Sequence, residues 1–199
     1  SFSCKHIHLD CESNEKSFVV AFRTIPKDST GIAHILEHTV LCGSKRYPVR
    51  DPFFMMIRRS LSTFMNAMTS QDTTMYPFSS VNDQDFKNLL DVYLDATFFP
   101  NLNELDFMQE GHRYEIEKGK NNEEKLLLKG VVYNEMIGAM SSVPSQLYQG
   151  LSEFLYPKTT YKYNSGGDPE VIPELTYRDL VSFHKKHYHP SNAYFFSHG

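Results

Sequence analysis

The five residues His34-Ile35-Leu36-Glu37-His38 place two imidazoles four positions apart, with a carboxylate immediately before the second. On an α-helix, positions i and i+4 project from one face, so both rings can reach a single small cation. Glu37 follows His34 by three residues and borders that face, close enough to handle a water on the cation without being a ligand. This set suits metal-assisted hydrolysis: neutral imidazoles hold zinc, zinc acidifies a water, and a carboxylate takes the proton. The order H-x-x-E-H is the reverse of the commoner H-E-x-x-H. Around it, Ile32, Ala33, Ile35, Leu36, Val40 and Leu41 are apolar and compatible with a helix, Ser29 or Thr30 is placed to cap its start, and Gly43 is a natural stop. The residues alone leave a second reading open, a pair of satisfied structural histidines.

A catalytic zinc site usually takes three protein ligands and keeps one position for water. The best third candidate is Glu135, which shares a helical stripe with Val131, Val132 and Ala139. An unpartnered carboxylate on an apolar stripe is costly to bury, and a metal supplies the missing partner; an ion pair with Arg or Lys is the alternative. Glu115, Glu117, Glu123 and Glu124 lie among polar residues and read as solvated. His184, His187 and His189 form a second group, but Lys185 and Lys186 accompany them. They read as cationic side chains favoured at a helix C-terminus. His6 and His8 share one face of a strand and read as an exposed pair.

The elements that must position these residues follow from pattern. Residues 5–10 and 17–25 look like strands joined by a polar turn, so the chain is expected to open with a hairpin. The motif helix follows, then a second helix beginning at Asp51-Pro52 and running through Phe53, Phe54 and Ile57. Residues 61–68 and 73–79 read as a second strand pair, and Asn82 caps a long amphipathic helix ending near Pro100. Further helices are expected over 106–112, 129–140, 145–155 and 177–187, the last with Thr176 and Asp179 as a capping box, and a short strand over 193–197. Hairpins interrupted by helices indicate an α+β fold, with helices packed on a mixed, mainly antiparallel sheet.

Composition sets bounds. A length of 199 residues allows one substantial core or at most two small domains, and 40% hydrophobic with 22% charged residues is that of a water-soluble protein. The net charge of -4 leaves no basic footprint for nucleic acid. No apolar run approaches the roughly 18 residues needed to span a bilayer, so no membrane partner is expected. Residues 1–10 lack the plan of a signal peptide, and the absence of an initiator methionine suggests an excised piece. Cys4, Cys11 and Cys42 are odd in number without a C-x-x-C pair, which reads as free thiols in a reducing compartment.

Beyond the motif, longer strings carry a resemblance. The segment from His34 to Ser44, His-Ile-Leu-Glu-His-Thr-Val-Leu-Cys-Gly-Ser, resembles the active-site segment of the presequence protease branch of the pitrilysin and insulinase metallopeptidases, whose reversed motif defines the inverzincins. The similarity continues through Asp51-Pro52-Phe53-Phe54, Leu61-Ser62-Thr63-Phe64-Met65-Asn66-Ala67, Gln109-Glu110-Gly111, Gly130-Val131-Val132-Tyr133-Asn134-Glu135-Met136, Gly166-Gly167-Asp168-Pro169 and His189-Pro190-Ser191-Asn192-Ala193. It spans nearly the whole chain in a fixed order.

The resemblance implies one zinc ion bound by His34, His38 and Glu135, with Glu37 as general base; Glu135 follows His38 by 97 residues, where the family carries its distal glutamate. It implies a zinc endopeptidase acting on unfolded oligopeptides, which could pair with a strand edge at Asn66-Ala67. It also implies that residues 1–199 are a single catalytic domain, the incomplete first of four homologous repeats in a longer parent. The repeats close two halves around a chamber, so the segment alone is expected to be weakly active or inactive without the C-terminal half. The compartment implied is the mitochondrial matrix or another organelle in a eukaryote, and the cytoplasm in a bacterium. A non-catalytic peptide-binding or structural subunit of the same fold is the alternative.

Overall fold

The computed structural model describes residues 4–50, 52–118 and 123–199. The elements in chain order are β1 (Lys5–Leu9), β2 (Lys16–Arg23), α1 (Ile32–Val40), α2 (Pro52–Ile57), β3 (Ser62–Met65), β4 (Met68–Thr69), β5 (Thr73–Ser80), α3 (Asp83–Phe98), α4 (Glu104–Glu110), β6 (Arg113–Lys118), β7 (Glu124–Lys129), α5 (Val131–Met140), α6 (Val143–Leu155), α7 (Tyr177–His187) and β8 (Ala193–His198). The fold is α+β, as the pattern predicts.

Alternation builds the main sheet. Phe18, Val20 and Phe22 of β2 point to one face, opposite Phe78, Tyr76 and Thr74 of the antiparallel β5. The strand order is β1-β8-β2-β5-β3, with β4 also on β5. Among the described strands the β1–β8 pair is parallel and the others are antiparallel. The expected opening hairpin is therefore corrected. β1 and β2 do run in opposite senses, but β8 lies between them. The segment joining them is long enough to step over one intervening strand, and β8 supplies Ala193 and Phe195 to the apolar face. A second sheet, the antiparallel pair β6–β7, was not expected. Glu115 and Glu117, expected to be solvated, are 42% and 59% exposed. Glu115 also pairs with Arg113 and Lys129.

The helices cover the apolar face of the main sheet. Ile35, Leu36 and Val40 of α1 are completely buried, each contributing on the order of 1.5–3 kcal/mol. They share a core with Leu89 and Tyr93 of α3, Leu180 of α7, and Phe22, Tyr76 and Tyr188. The Tyr76 and Tyr188 hydroxyls meet at 2.8 Å within that core. Local signals place two helices within a residue or two of expectation. Asn82 accepts from the N–H groups of Gln84 and Asp85 at the head of α3, and Thr176 forms the capping box with Asp179 at the head of α7. At α1 the expected cap is corrected. The N-cap is Gly31, at φ 69°, with no side-chain cap bond, while Thr30 is turned to Asp28. The expected cap of α2, Asp51, lies outside the described residues. No helix among the described residues is long and apolar enough to cross a membrane.

Candidate metal centre and cleft

Helix α1 presents His34 and His38 side by side, their ring centroids 5.0 Å apart. Helix α5 brings Glu135 opposite: its Oε2 is 3.6 Å from His34 Nε2 and 3.9 Å from His38 Nε2. One donor atom from each of the three lies within 4.8 Å of the others. The argument that led to Glu135 needs correction even though the residue arrives. Its side chain is 53% exposed rather than buried, because Val131 and Ala139 face outward with it.

The other nitrogen of each ring is already engaged. His34 Nδ1 lies 2.9 Å from the Gly166 carbonyl oxygen, and His38 Nδ1 lies 3.1 Å from Glu110 Oε2. A carbonyl only accepts, so His34 Nδ1 carries the proton and its Nε2 presents a lone pair. His38 in its neutral form is arranged likewise. With both rings neutral, two imidazole lone pairs and a carboxylate oxygen face one another. Mutual repulsion disfavours that arrangement unless a cation sits between, and the nitrogen and oxygen donors are those of a zinc site. The donor set fits the metal.

Glu37 is 6% exposed, beside the histidines, and its Oε2 accepts from Thr69 Oγ1 at 2.6 Å. Burial pushes its pKa upward, against the Thr69 hydrogen bond and the neighbouring imidazoles. A divalent cation in the site works in the opposite direction. For His38, burial lowers the pKa, but the hydrogen bond to Glu110 and the nearby carboxylates outweigh it and the net direction is upward.

These groups line a cleft of about 780 Å³. Leu41, Phe53, Phe54, Ile57, Met65 and Met68 make its apolar wall, and Asn66 and Ala67 line it too. The expected strand breaks at Asn66-Ala67, between β3 and β4. The Ala67 N–H is held by Asn66 Oδ1 at 3.0 Å, so that donor is occupied by its own neighbour. Sequence reasoning missed three supports of the site: Thr69, Glu110 and Gly166. Glu110 had a signal, since an acidic residue at a helix C-terminus opposes the helix dipole and asks for a tertiary partner.

The other histidines do not join. His184 Nε2 donates to the Thr97 carbonyl and His187 Nδ1 to that of Arg23. Burial lowers the pKa of both, which corrects the reading of them as cations. His6 and His8 both bond to Ser197 Oγ at 2.8 Å.

Residues 23–143 match the family described as Insulinase (Peptidase family M16). The chain belongs to the M16 family. The M16 segment is 58% identical over 195 residues to the mitochondrial presequence protease of Mus musculus, covering 98% of this chain and 19% of that one. Against the presequence protease of Drosophila melanogaster the figures are 55% identity, 96% and 19%. The M16 segment therefore spans about a fifth of the length of these relatives. Among solved structures, a protease from Helicobacter pylori superposes with TM-score 0.75 at 20% identity, covering 99% of this chain and 44% of that one. Pitrilysin superposes with TM-score 0.72 at 19% identity, covering 96% and 19%. At those identities the likeness is one of fold.

Proposed function

We propose that this M16 segment is the zinc-bearing catalytic domain of an endopeptidase acting on unfolded peptides. The observation that carries the reading is the convergence of His34 Nε2, His38 Nε2 and Glu135 Oε2 beside the buried carboxylate of Glu37. Zinc held there would polarise a peptide carbonyl and acidify the attacking water. Glu37 takes a proton from that water as its oxygen bonds to the carbonyl carbon. It then returns the proton to the amine nitrogen as the C–N bond breaks. Thr69, donating to Oε2, fixes the carboxylate and leaves Oε1 for this work. The apolar wall from Leu41 to Met68 offers a place for a hydrophobic side chain of the substrate. The β3 edge beside it offers backbone pairing, for which Asn66 must release the Ala67 N–H.

The segment is read as the incomplete first of four repeats of a longer parent, located in mitochondria. The relatives' fivefold greater length supports this, as do the exposed side chains of Val143, Leu147, Leu151 and Phe154 along α6, an apolar surface that a separate domain rarely leaves open.

The test uses the full-length polypeptide that carries this segment. Glu37→Gln is expected to retain zinc by elemental analysis and to lose peptide hydrolysis by about a hundredfold or more. Glu135→Gln and His38→Ala are expected to lose the zinc itself. Near-parental turnover by Glu37→Gln would remove its assigned role.

A further inference from the structure

Glu110 is the C-terminal residue of α4 and only 8% exposed. A carboxylate in that place is doubly disfavoured. Burial strips its water, and the unpaired carbonyls at the helix end repel it. What compensates is a set of directed contacts. Glu110 Oε2 lies 3.1 Å from His38 Nδ1, and Glu110 Oε1 accepts from Gln109 Nε2 at 3.0 Å. Gln109 is held in turn, its Oε1 accepting from Arg50 Nη2 at 2.5 Å. Both carboxylate oxygens are thereby fixed, and the ring of His38 has one orientation in which Nδ1 donates and Nε2 faces Glu135.

The two histidines are not supported alike. His34 is oriented by a backbone carbonyl, that of Gly166, and not by a side chain. His38 is oriented by a side chain whose negative charge also raises the basicity of the ring, and hence its strength as a metal ligand. From this asymmetry we propose that Glu110 is the positioning residue of the metal centre, setting the tautomer, orientation and donor strength of His38 without touching metal or substrate. The inference rests on the zinc reading above.

Zinc affinity, measured by competition with a chelator in the full-length polypeptide, is the direct readout. The absorption spectrum of the cobalt-substituted protein is the second, because it follows ligand geometry independently of turnover. Glu110→Ala is expected to weaken zinc binding by about 10–100-fold and to change the cobalt bands. Glu110→Gln, whose amide oxygen still accepts the Nδ1 proton, is expected to recover most of that loss. Gln109→Leu should produce a smaller loss in the same direction. Zinc affinity of Glu110→Ala within twofold of the parent overturns the proposal. Where the metal-free Ala variant melts well below the parent, the deciding pair is Glu110→Gln against Glu110→Met, which matches the volume but cannot accept. Equal zinc affinity in that pair overturns the proposal as surely. His38→Ala serves as the reference arm: undiminished zinc there dismisses the metal site itself, an outcome distinct from failure at Glu110 alone.

Discussion

At the scale of single residues, the same side chain acquires opposite chemistry from its surroundings. His38 sits among carboxylates, and its pKa moves up; His184, on the buried face of α7, meets the Thr97 carbonyl, and burial moves its pKa down. For His184 the sign of the consequence is fixed. Below the ordinary histidine value of about 6.5 the unfolded chain takes up a proton that the folded chain refuses, so stability falls as pH drops through that value. The loss from one such group is at most about 1.4 kcal/mol per pH unit. His184→Gln keeps a donor for Thr97 but cannot titrate. Urea unfolding at pH 7.5 and 5.5 should show less acid destabilisation in this variant than in the parent; identical losses would show that His184 is not an acid-sensitive group.

At the scale of elements, the approach of two loops decides where a metal ligand points. Gly31, at φ 69°, begins α1, and a Cβ there would lie 2.7 Å from the Gly166 oxygen and 2.8 Å from Gly167 Cα. Both obstacles are backbone, and the loop is tied down by the Asp168 N–H donating to the Ser29 carbonyl at 2.8 Å. Gly31→Ala is therefore expected to destabilise by more than the 1–2 kcal/mol of a left-handed alanine alone. It should also weaken zinc binding by moving Gly166 away from His34. Gly138, inside α5 with nothing near its absent Cβ, is the counterpart. There Gly138→Ala should stabilise by about 0.5–1 kcal/mol, read by thermal unfolding. Legibility in the sequence divides along the same line. The ends of α3 and α7 were readable because Asn82, Thr176 and Asp179 act on backbone within three residues. The two histidines and Glu37 were readable because a helix brings them together by itself. Glu110, Thr69 and Gly166 were not readable as supports, since each reaches the site across the fold. The strand order was hidden for the same reason, β8 being inserted from more than a hundred residues away.

At the scale of the whole molecule, the segment contains the three donors of the candidate metal centre, and the cleft beside them is open to solvent. Phe54 and Ile57 of the apolar wall remain 64% and 47% exposed, and the relatives extend about fivefold further in length. Hydrolysis also needs the substrate held in a productive pose away from bulk water. The isolated segment is expected to cleave a fluorogenic unstructured peptide orders of magnitude more slowly than the full-length polypeptide. Adding the separately produced C-terminal half should restore part of the rate. Parental activity from the segment alone would make it a self-sufficient peptidase and would count against the two-half account.

The place of β8 between β1 and β2 gives this sheet a history on the ribosome. The histidines of α1 leave the ribosome well before β8, which begins at Ala193, 155 residues after His38. At synthesis rates of about 5–20 residues per second, that interval lasts roughly ten to thirty seconds. Throughout it the edges of β1 and β2 that β8 joins stay unpaired, because that strand has not been made. Translation therefore delivers this interior strand after the strands on either side of it. The nascent chain waits with two open edges, and a holding chaperone has most to protect in that interval.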